Sequence, residues 1–331
     1  MTATHRRVLC PSLDGPRALT LAEVESRPPG PGELRLAMRA CGVNFPDLLM
    51  TEGKYQFKPD LPFCPGLEAA GVILEIGEGV ADWRVGDRVI ARTGPFHPGF
   101  SEEIVLPAAN LLPVPPGLSD AQAASLHVAY WTALHSLADR GRLRHGETLV
   151  VHGAAGGVGL AAVQVGLALG ARVIATAGSA EKLDHLKREG VHATVDYTRD
   201  DMRLAIKDLT GGRGADVILD PVGGPVFEPS LRALAPEGRL LVVGFAAGSH
   251  GHAPANIALI KEIEVIGVRA GEFSRRHPEA IPAGHRRLTR WIDEGRVAPR
   301  VHAAFPLSRA AEALEALRDR TVIGKVVVTP D

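Results

Sequence analysis

The turn between an apolar strand and an apolar helix at residues 150–159 constrains the fold of this chain more than any other segment. Its sequence is Val150-Val-His-Gly-Ala-Ala-Gly-Gly-Val-Gly159. Glycines at such a turn let the pyrophosphate of a dinucleotide approach the N–H groups at the start of the helix. Alanine replaces the first glycine of the usual G-x-G-x-x-G pattern. The pattern predicts a nucleotide-binding loop of six residues: Ala154, Ala155, Gly156, Gly157, Val158 and Gly159.

Strand and helix patterns alternate on both sides of this loop. The helical patterns include Asp120–Leu137, Gly157–Gly170 and Ala180–Glu189. The predicted strands are Thr148–Val151, Arg172–Thr176, Ala193–Asp196, Asp216–Leu219, Arg239–Gly244 and Val265–Val268. Strands that alternate with helices form a parallel sheet covered on both faces. The fold class is therefore predicted to be α/β, with a doubly wound parallel sheet of the Rossmann type.

The first 120 residues have a different pattern. Short β-type runs recur between Gly and Pro residues, which is typical of an antiparallel, barrel-like module. The sequence Pro113-Val-Pro-Pro-Gly117 marks the boundary to the alternating segment. The chain after about residue 270 returns to a mixed pattern. We predict a nucleotide-binding domain over residues 121–269, inserted into a domain formed by residues 1–120 and 270–331.

The composition excludes several classes of protein. Lys and Arg number 37 against 38 acidic residues among 331, so the basic excess typical of nucleic-acid binding is missing. The cysteines, Cys10, Cys41 and Cys64, fit neither a disulfide framework nor a Cys-x-x-Cys metal site. The sequence shows no run of about 18 apolar residues and no signal-peptide core. We expect a soluble, cytoplasmic protein that binds neither nucleic acid nor membrane.

The end of the second predicted strand indicates which dinucleotide is bound. An NAD site places an acidic residue there, and its carboxylate would repel the 2′-phosphate of NADP. This chain has Gly178 at that position, followed by Ser179 and Lys182. Glu181 is one turn into the helix, where it points to solvent. The pattern favours NADP(H), although Lys182 on a merely solvated helix face is the alternative.

Five motifs, in order along the chain, resemble those of the zinc-independent medium-chain dehydrogenase/reductases of the NADPH:quinone oxidoreductase (zeta-crystallin-like) family. They are Cys41-Gly-Val-Asn-Phe-Pro-Asp47, Pro65-Gly-Leu-Glu-Ala-Ala-Gly71, Gly86-Asp-Arg-Val89, Gly153–Gly159 and Asp220-Pro-Val-Gly-Gly224. The resemblance spans nearly the whole chain. It implies a Rossmann domain together with a GroES-like β-barrel catalytic domain.

The same motifs indicate that no metal is bound. Zinc-dependent relatives have a Cys three residues after the residue matching Cys41, and a His before the Glu of the second motif. Here these positions hold Asn44 and Leu67, which do not replace thiolate and imidazole as zinc ligands. Without a Lewis acid, the reaction requires an acceptor that is already electrophilic, such as a quinone or an α,β-unsaturated carbonyl.

By resemblance, Asn44, Tyr55 and Asp47 are the candidate catalytic residues. Asn44 can donate a hydrogen bond to a ribose or substrate oxygen, and the Tyr55 phenol can donate to the reduced carbonyl. The alternatives are a turn residue at Asn44 and a loop aromatic at Tyr55. Leu49 stands where similar proteins have a second tyrosine, which makes the pocket more apolar.

The resemblance also implies further contacts to the cofactor. Tyr130 and Thr132 follow Ala129, which replaces a threonine of the family. Tyr197 matches a family contact to the 2′-phosphate, and the alternative is that it is only the aromatic end of the third strand. The remaining contacts come from the strand ends and the C-terminal segment: Asn44, Val222, Gly223, Gly244, Phe245, Ala246, Val268, Arg269, Arg320, Gly324 and Lys325.

Three functions stay open at this point. The first is an NADPH-dependent reductase of quinones or other small hydrophobic α,β-unsaturated carbonyls. The second is an enoyl-thioester (enoyl-CoA) reductase of the same superfamily. The third is a non-catalytic NADPH-binding protein with a structural or regulatory role. A homodimer is expected, because the sixth strand, next to the apolar segment Ile257–Ile260, would otherwise leave an apolar sheet edge unpaired.

Overall fold

The computed structural model describes residues 3–331. Its strands are β1 (Thr4–Leu9), β2 (Thr20–Glu25), β3 (Glu33–Val43), β4 (Glu68–Ile76), β5 (Arg88–Ala91), β6 (Glu103–Pro107), β7 (Leu111–Pro113), β8 (Thr148–Val151), β9 (Arg172–Ala177), β10 (Ala193–Asp196), β11 (Ala215–Asp220), β12 (Leu234–Val242), β13 (Glu264–Gly267), β14 (Val301–Pro306) and β15 (Lys325–Thr329).

The α-helices cover the sheets and connect the strands. They are α1 (Phe45–Thr51), α2 (Asp120–Ala123), α3 (His127–Leu134), α4 (Gly157–Ala168), α5 (Ala180–Arg188), α6 (Met202–Leu209), α7 (Phe227–Ala233), α8 (Ala255–Lys261), α9 (Ala270–Arg276), α10 (Ile281–Asp293) and α11 (Ala310–Arg318).

A six-stranded parallel sheet forms the centre of the inserted unit. Its strand order is β10-β9-β8-β11-β12-β13, the order of a doubly wound dinucleotide-binding fold. Every residue of β8 and β11 is buried, as expected for central strands covered on both faces. The six predicted strands are confirmed. The direction of winding reverses between β8 and β11, so the loops that follow these two strands flank the ligand-binding crevice typical of this fold.

The predicted helix Asp120–Leu137 is interrupted in the structure. The Ser119 hydroxyl accepts the N–H of Gln122 and starts α2, which ends at Ala123. The carbonyl of Ala124 then comes so close to β3 that a Cβ on Gly42 would lie 2.1 Å from its oxygen. This approach ends α2 before α3 begins. A wider, π-helical turn over His135–Arg140 follows α3.

The second unit is built on antiparallel strands. Its main sheet has the order β14-β15-β3-β4-β5-β7, with β6 also paired to β3, while β1 and β2 form a separate ribbon. The GroES-like strand pattern is confirmed. Among the described residues the strand path is open, with β14 at one end and β7 at the other, so the predicted barrel is not closed. Leu36, Val89, Ile104 and Leu106 are among the fully buried residues of its core.

The chain divides into two compact units. One comprises the residues up to Val128 together with Pro299–Asp331, and the other is Ala129–Ala298. The inserted unit thus extends beyond the predicted limit at residue 269. A stack of rings explains the difference, because Phe273 lies 4.1 Å from His135, centroid to centroid, and 6.5 Å from Trp131. These contacts hold α9 against α3 within one unit.

Within residues 3–331, none of the helices combines the length and the apolar character that crossing a membrane requires.

Two helical glycines provide a test of this packing. A Cβ on Gly284 in α10 would lie 2.3 Å from the Trp131 ring, whereas a Cβ on Gly271 in α9 would meet nothing within 4 Å. We expect Gly284→Ala to lower the free energy of unfolding by about 1–3 kcal/mol through overpacking. Gly271→Ala is the control and should leave stability unchanged or raise it by up to about 1 kcal/mol. Equal effects in denaturant melts would contradict this packing.

Candidate functional site

Three loops pack together where the central parallel strands end. A Cβ on Gly153, after β8, would lie 3.1 Å from a methyl of Val222, after β11. Gly223 has a φ of 67° and lies against the ring of Phe245, after β12. The Ala246 N–H donates to the carbonyl of Pro221 at 3.1 Å. The predicted loop residues are therefore assembled at the carboxyl edge of the sheet.

The glycine-rich loop has the shape that a phosphate group requires. Gly153 has a φ of 55°, and a Cβ on Gly159 would lie 2.2 Å from the Gly153 carbonyl oxygen. The Ala154 N–H donates a hydrogen bond to the carbonyl of Thr176, and the Gly156 N–H donates one to the carbonyl of Gly153. Helix α4 begins at Gly157, and the N–H groups of its first turn have no carbonyl partner earlier in the helix. Such N–H groups can donate hydrogen bonds to a bound anion. These residues fit the pyrophosphate of a dinucleotide.

A buried histidine fixes the start of this loop. His152 lies between the hydroxyls of Thr176, 3.0 Å from Nδ1, and Ser230, 2.8 Å from Nε2. Ser230 donates its own hydrogen to the carbonyl of Val226, so the Nε2–H donates to Ser230 and Nδ1 accepts from Thr176. Burial lowers the pKa of His152, which keeps the ring neutral. His152 is not among the site residues predicted from the sequence.

The residues predicted to select the dinucleotide lie together after β9. A Cβ on Gly178 would lie 2.7 Å from the Tyr197 hydroxyl, so only glycine leaves room for this ring. Ser179 caps α5, with its hydroxyl accepting the Lys182 N–H. The Tyr197 side chain is 42% exposed. No carboxylate occupies the end of β9, where an NAD site has one.

The inserted unit contains five other residues that were predicted to contact the dinucleotide, and their environments differ. The Tyr130 hydroxyl donates to Gln164 at 2.8 Å, and burial raises the pKa of this phenol. The Thr132 carbonyl accepts the Ser136 hydroxyl at 2.6 Å. Val268 and Arg269 follow β13, and Gly244 follows β12. Tyr130 thus stabilises the interior of the unit, while the other four lie at strand ends or on α3.

In the antiparallel unit, Asn44 and Lys325 meet in a buried polar cluster that also contains Glu68. The Asn44 Oδ1 accepts from the Lys325 ammonium at 2.5 Å, and its Nδ2 donates to Glu68 at 3.1 Å. Lys325 and Glu68 form an ion pair at 3.1 Å, with both side chains almost fully buried. The second carboxylate oxygen of Glu68 accepts the N–H of Val128 at 2.8 Å. The cluster combines one positive and one negative charge around one amide.

Asp47 connects two motifs through the backbone. Its carboxylate accepts the N–H of Asn44 at 2.8 Å and that of Gly66 at 3.0 Å. The side chain is fully buried, and this burial raises the pKa of Asp47 to about 7 in spite of the two donors. These contacts hold Asn44 in place from its main-chain side.

The structure does not bring Tyr55 into this cluster. Tyr55 follows α1 in the sequence and packs against Cys10, Met50 and Phe63. Leu49 lies within α1 and is half-buried. Gly324 has a φ of 87° directly before Lys325, and Arg320 lies in the loop between α11 and β15 with a φ of 56°. Gly324 thus shapes the turn that leads into the buried lysine.

The residues at the position of the family's zinc site do not fit that metal. The Cys41 thiol donates to the Glu68 carbonyl at 3.0 Å, and burial raises the pKa of this thiol well above its usual value. Asn44 and Leu67 replace the other ligands, and the Lys325 ammonium occupies the space beside Glu68. Across residues 3–331, no group of three or more His, Cys, Asp or Glu side chains is arranged to hold a metal ion.

Known proteins resemble this chain from end to end. Residues 30–116 match the alcohol dehydrogenase GroES-like domain, and residues 157–286 match the zinc-binding dehydrogenase family. Quinone oxidoreductase-like protein 2 of Bos taurus is 37% identical over 326 residues, covering 98% of this chain and 92% of that protein. The chain belongs to the quinone oxidoreductase family of medium-chain dehydrogenase/reductases. A quinone oxidoreductase of Pseudomonas aeruginosa is 33% identical, covering 98% of this chain and 99% of that protein.

Solved structures of medium-chain dehydrogenase/reductases share this fold. A mycobacterial protein complexed with NADPH has a TM-score of 0.90 and 30% identity, covering 98% of this chain and 100% of that one. An NAD-dependent alcohol dehydrogenase has a TM-score of 0.88 and 32% identity, with the same coverage. The CurK enoyl reductase has a TM-score of 0.88 and 27% identity, covering 99% of both chains. A pyridine nucleotide is the cofactor class of this oxidoreductase.

Glu68 is the site residue that sequence reasoning missed, although a signal was present. Glu68 and Lys325 are each the first residue of a strand and are followed directly by apolar residues, Ala-Ala-Gly-Val-Ile-Leu and Val-Val-Val. Charged residues are rarely buried unless they are paired. Two opposite charges in such positions therefore indicate a buried ion pair.

Proposed function

We propose that this protein is an NADPH-dependent oxidoreductase that reduces a quinone or another α,β-unsaturated carbonyl without a metal ion. The Lys325–Asn44–Glu68 cluster carries this proposal, because Asn44 stands where zinc-dependent relatives have a metal ligand and is bonded to a buried ion pair, in a chain whose glycine-rich loop fits a dinucleotide. The bound nucleotide supplies a hydride. An acceptor with a conjugated carbonyl spreads the resulting negative charge onto oxygen and needs no Lewis acid.

The protein's own residues bind and orient the reactants in this proposal. The first turn of α4 holds the pyrophosphate, and His152 keeps the loop in shape from behind. Asn44, fixed by its partners, contacts a reacting or ribose oxygen. Asp47 acts through the backbone of Asn44 as a positioning residue. Tyr55 keeps its proposed role as a hydrogen-bond donor to the reduced carbonyl.

We further propose NADPH over NADH. Gly178 lies against Tyr197, Ser179 and Lys182 stand at the start of α5, and the last residue of β9 is Ala177 rather than an acid, which suits a 2′-phosphate. The mycobacterial structure with NADPH supports this choice, whereas the NAD-dependent alcohol dehydrogenase shows that the fold accepts either nucleotide.

An enoyl-thioester reductase is the second candidate. The similarity to the CurK enoyl reductase supports it, because the same fold there reduces an enoyl group. A conjugated thioester also delocalises the charge left by a hydride, so this candidate requires no change in the residues proposed above.

The acceptor is tested by NADPH oxidation. We expect the purified protein to oxidise NADPH with a benzoquinone or a short alkenal faster than with a short enoyl-CoA, at a rate that a metal chelator does not change. Faster turnover of the enoyl-CoA would select the second candidate. NADPH binding without turnover of any acceptor would contradict both and leave a structural or regulatory role.

Lys182→Ala tests the choice of nucleotide. We expect this variant to weaken NADPH binding about tenfold or more and to leave NADH binding nearly unchanged, because a charged hydrogen bond to phosphate is worth roughly 1.5–3 kcal/mol. Lys187→Ala, in the last turn of the same helix and paired with Asp184, is the control. Calorimetric titration gives both affinities. An equal loss of affinity for NADPH and NADH would contradict the proposal that Lys182 binds the 2′-phosphate.

We also propose a homodimer formed along β13. This strand ends the parallel sheet, and its Val265 is 42% exposed. Leu259 and Ile260, in the preceding helix α8, are 79% and 78% exposed. Light scattering should give twice the 35.0 kDa of one chain. Ile260→Glu should shift the mass towards the monomer, whereas Leu204→Glu, at an exposed leucine of α6, should not. A monomeric wild-type protein would contradict this proposal.

A further inference from the structure

The antiparallel unit contains a pocket of about 240 Å³ beside strands β1 and β6. His5 and Arg7 line it from β1, and Glu103 and Val105 line it from β6. The two members of each pair are two residues apart, so each strand contributes side chains from one of its faces. Among residues 3–331, none that lines the pocket belongs to the glycine-rich loop or to the buried cluster around Asn44.

Arg7 lines this pocket without a counter-charge. Its Nε donates to the Ser101 hydroxyl at 3.1 Å, and its Nη2 donates to the His5 Nε2 at 3.2 Å. No carboxylate within residues 3–331 forms an ion pair with this guanidinium. By contrast, Arg27, which also lines the pocket, is paired with Glu33 at 2.7 Å. A guanidinium has five N–H donors, so three of those on Arg7 remain for a ligand or for water.

His5 orients this guanidinium as a hydrogen-bond acceptor. Because a guanidinium only donates, the His5 Nε2 accepts and has no hydrogen of its own. The hydrogen of the neutral ring is then on Nδ1, which donates to the Ser26 hydroxyl at 3.0 Å. Burial lowers the pKa of His5, which favours this neutral form. Arg7 is therefore held by two neutral groups, and neither of them compensates its charge.

The other titratable groups of the pocket favour a ligand with a single negative charge. The carboxylate of Glu103 is paired with Arg35 at 3.0 Å, and the carboxylate of Glu25 also lines the pocket. Burial lowers the pKa of His97, so this imidazole adds no positive charge. A doubly charged group such as phosphate would be repelled by the two carboxylates. A single carboxylate matches the planar guanidinium of Arg7 in both charge and geometry.

The loop beside β6 supplies an apolar wall. Phe96 and Pro98 line the pocket together with Val105. The Phe96 side chain is 64% exposed, and its ring packs edge-to-face on Phe57 with the centroids 5.1 Å apart. A ligand that covers this ring would remove apolar surface from water. The pocket is smaller than the roughly 300–1,000 Å³ of sites for drug-sized molecules, so its ligand is small.

We propose that this pocket binds a small monocarboxylate with an aromatic or other apolar body. The carboxylate accepts hydrogen bonds from Arg7, and the body lies against Phe96 and Val105. The residues of this site differ from those proposed for the nucleotide and the acceptor. The inference therefore goes beyond the proposed reductase function and does not depend on it.

Calorimetric titration of the full chain with benzoate, in the absence of nucleotide, tests this inference. Benzamide has nearly the same shape without the charge, and inorganic phosphate has the charge without the apolar body. Arg7→Gln removes the guanidinium. Arg84→Gln is the matched control, because Arg84 is an exposed arginine of the same unit that does not line the pocket. Val105→Phe fills the pocket and leaves Arg7 in place. Denaturant melts show whether each variant is folded.

We expect the wild-type protein to bind benzoate about tenfold or more tightly than benzamide or phosphate, because the other two ligands each lack one of the two contacts. Arg7→Gln and Val105→Phe should each weaken benzoate binding about tenfold or more, and Arg84→Gln should leave it unchanged. If Arg7→Gln does not fold, Val105→Phe decides. Tighter binding of phosphate, equal binding of benzamide, or no benzoate binding by the wild-type protein would overturn the inference. Benzoate binding that neither pocket variant changes would place the ligand elsewhere and would overturn it as well.

Discussion

The buried ion pair between Lys325 and Glu68 is the interaction on which the candidate site depends. Two charges taken out of water cost several kcal/mol each, and only close pairing with further hydrogen bonds offsets that loss. Both conditions are met here, because each charged group is surrounded by hydrogen-bonding partners. Removal of either partner alone leaves the other as an uncompensated buried charge. The pair therefore orients the Asn44 side chain more than it stabilises the fold.

This arrangement is consistent with the metal-free reduction proposed above. A metal ion supplies a fixed positive charge that polarises an oxygen. The Lys325 ammonium has a charge of the same sign, donates hydrogen bonds to the Val43 carbonyl and the Asn44 Oδ1, and is ion-paired with Glu68. In the proposed reaction, the site binds and orients the acceptor. Such a site matches acceptors that are activated by their own conjugation.

Much of the fold was predictable from sequence because it depends on local pattern. Apolar runs of four to six residues between helical segments identified the six parallel strands, and glycines at fixed spacing predicted the tight turn between β8 and α4. Resemblance to the family pointed to Asn44 and Lys325 as site residues. Their contact was not predicted, because spacing along the chain does not show that these two side chains meet. The limit of the inserted unit at Ala298 was missed for the same reason, since it depends on the stacking of Phe273 against His135.

The distance in sequence between the partners of this cluster has a consequence for how the chain folds. Asn44 and Lys325 are 281 residues apart, and the whole inserted unit is synthesised between them. During translation, the N-terminal strands emerge with the Glu68 carboxylate still lacking its counter-charge. β15 then pairs antiparallel with β3 and brings the ammonium to the carboxylate. The N-terminal unit therefore cannot form this ion pair until the inserted unit has been made. A chain that ends before residue 325 would contain every predicted nucleotide contact of the inserted unit but not the ammonium that pairs with Glu68 and Asn44.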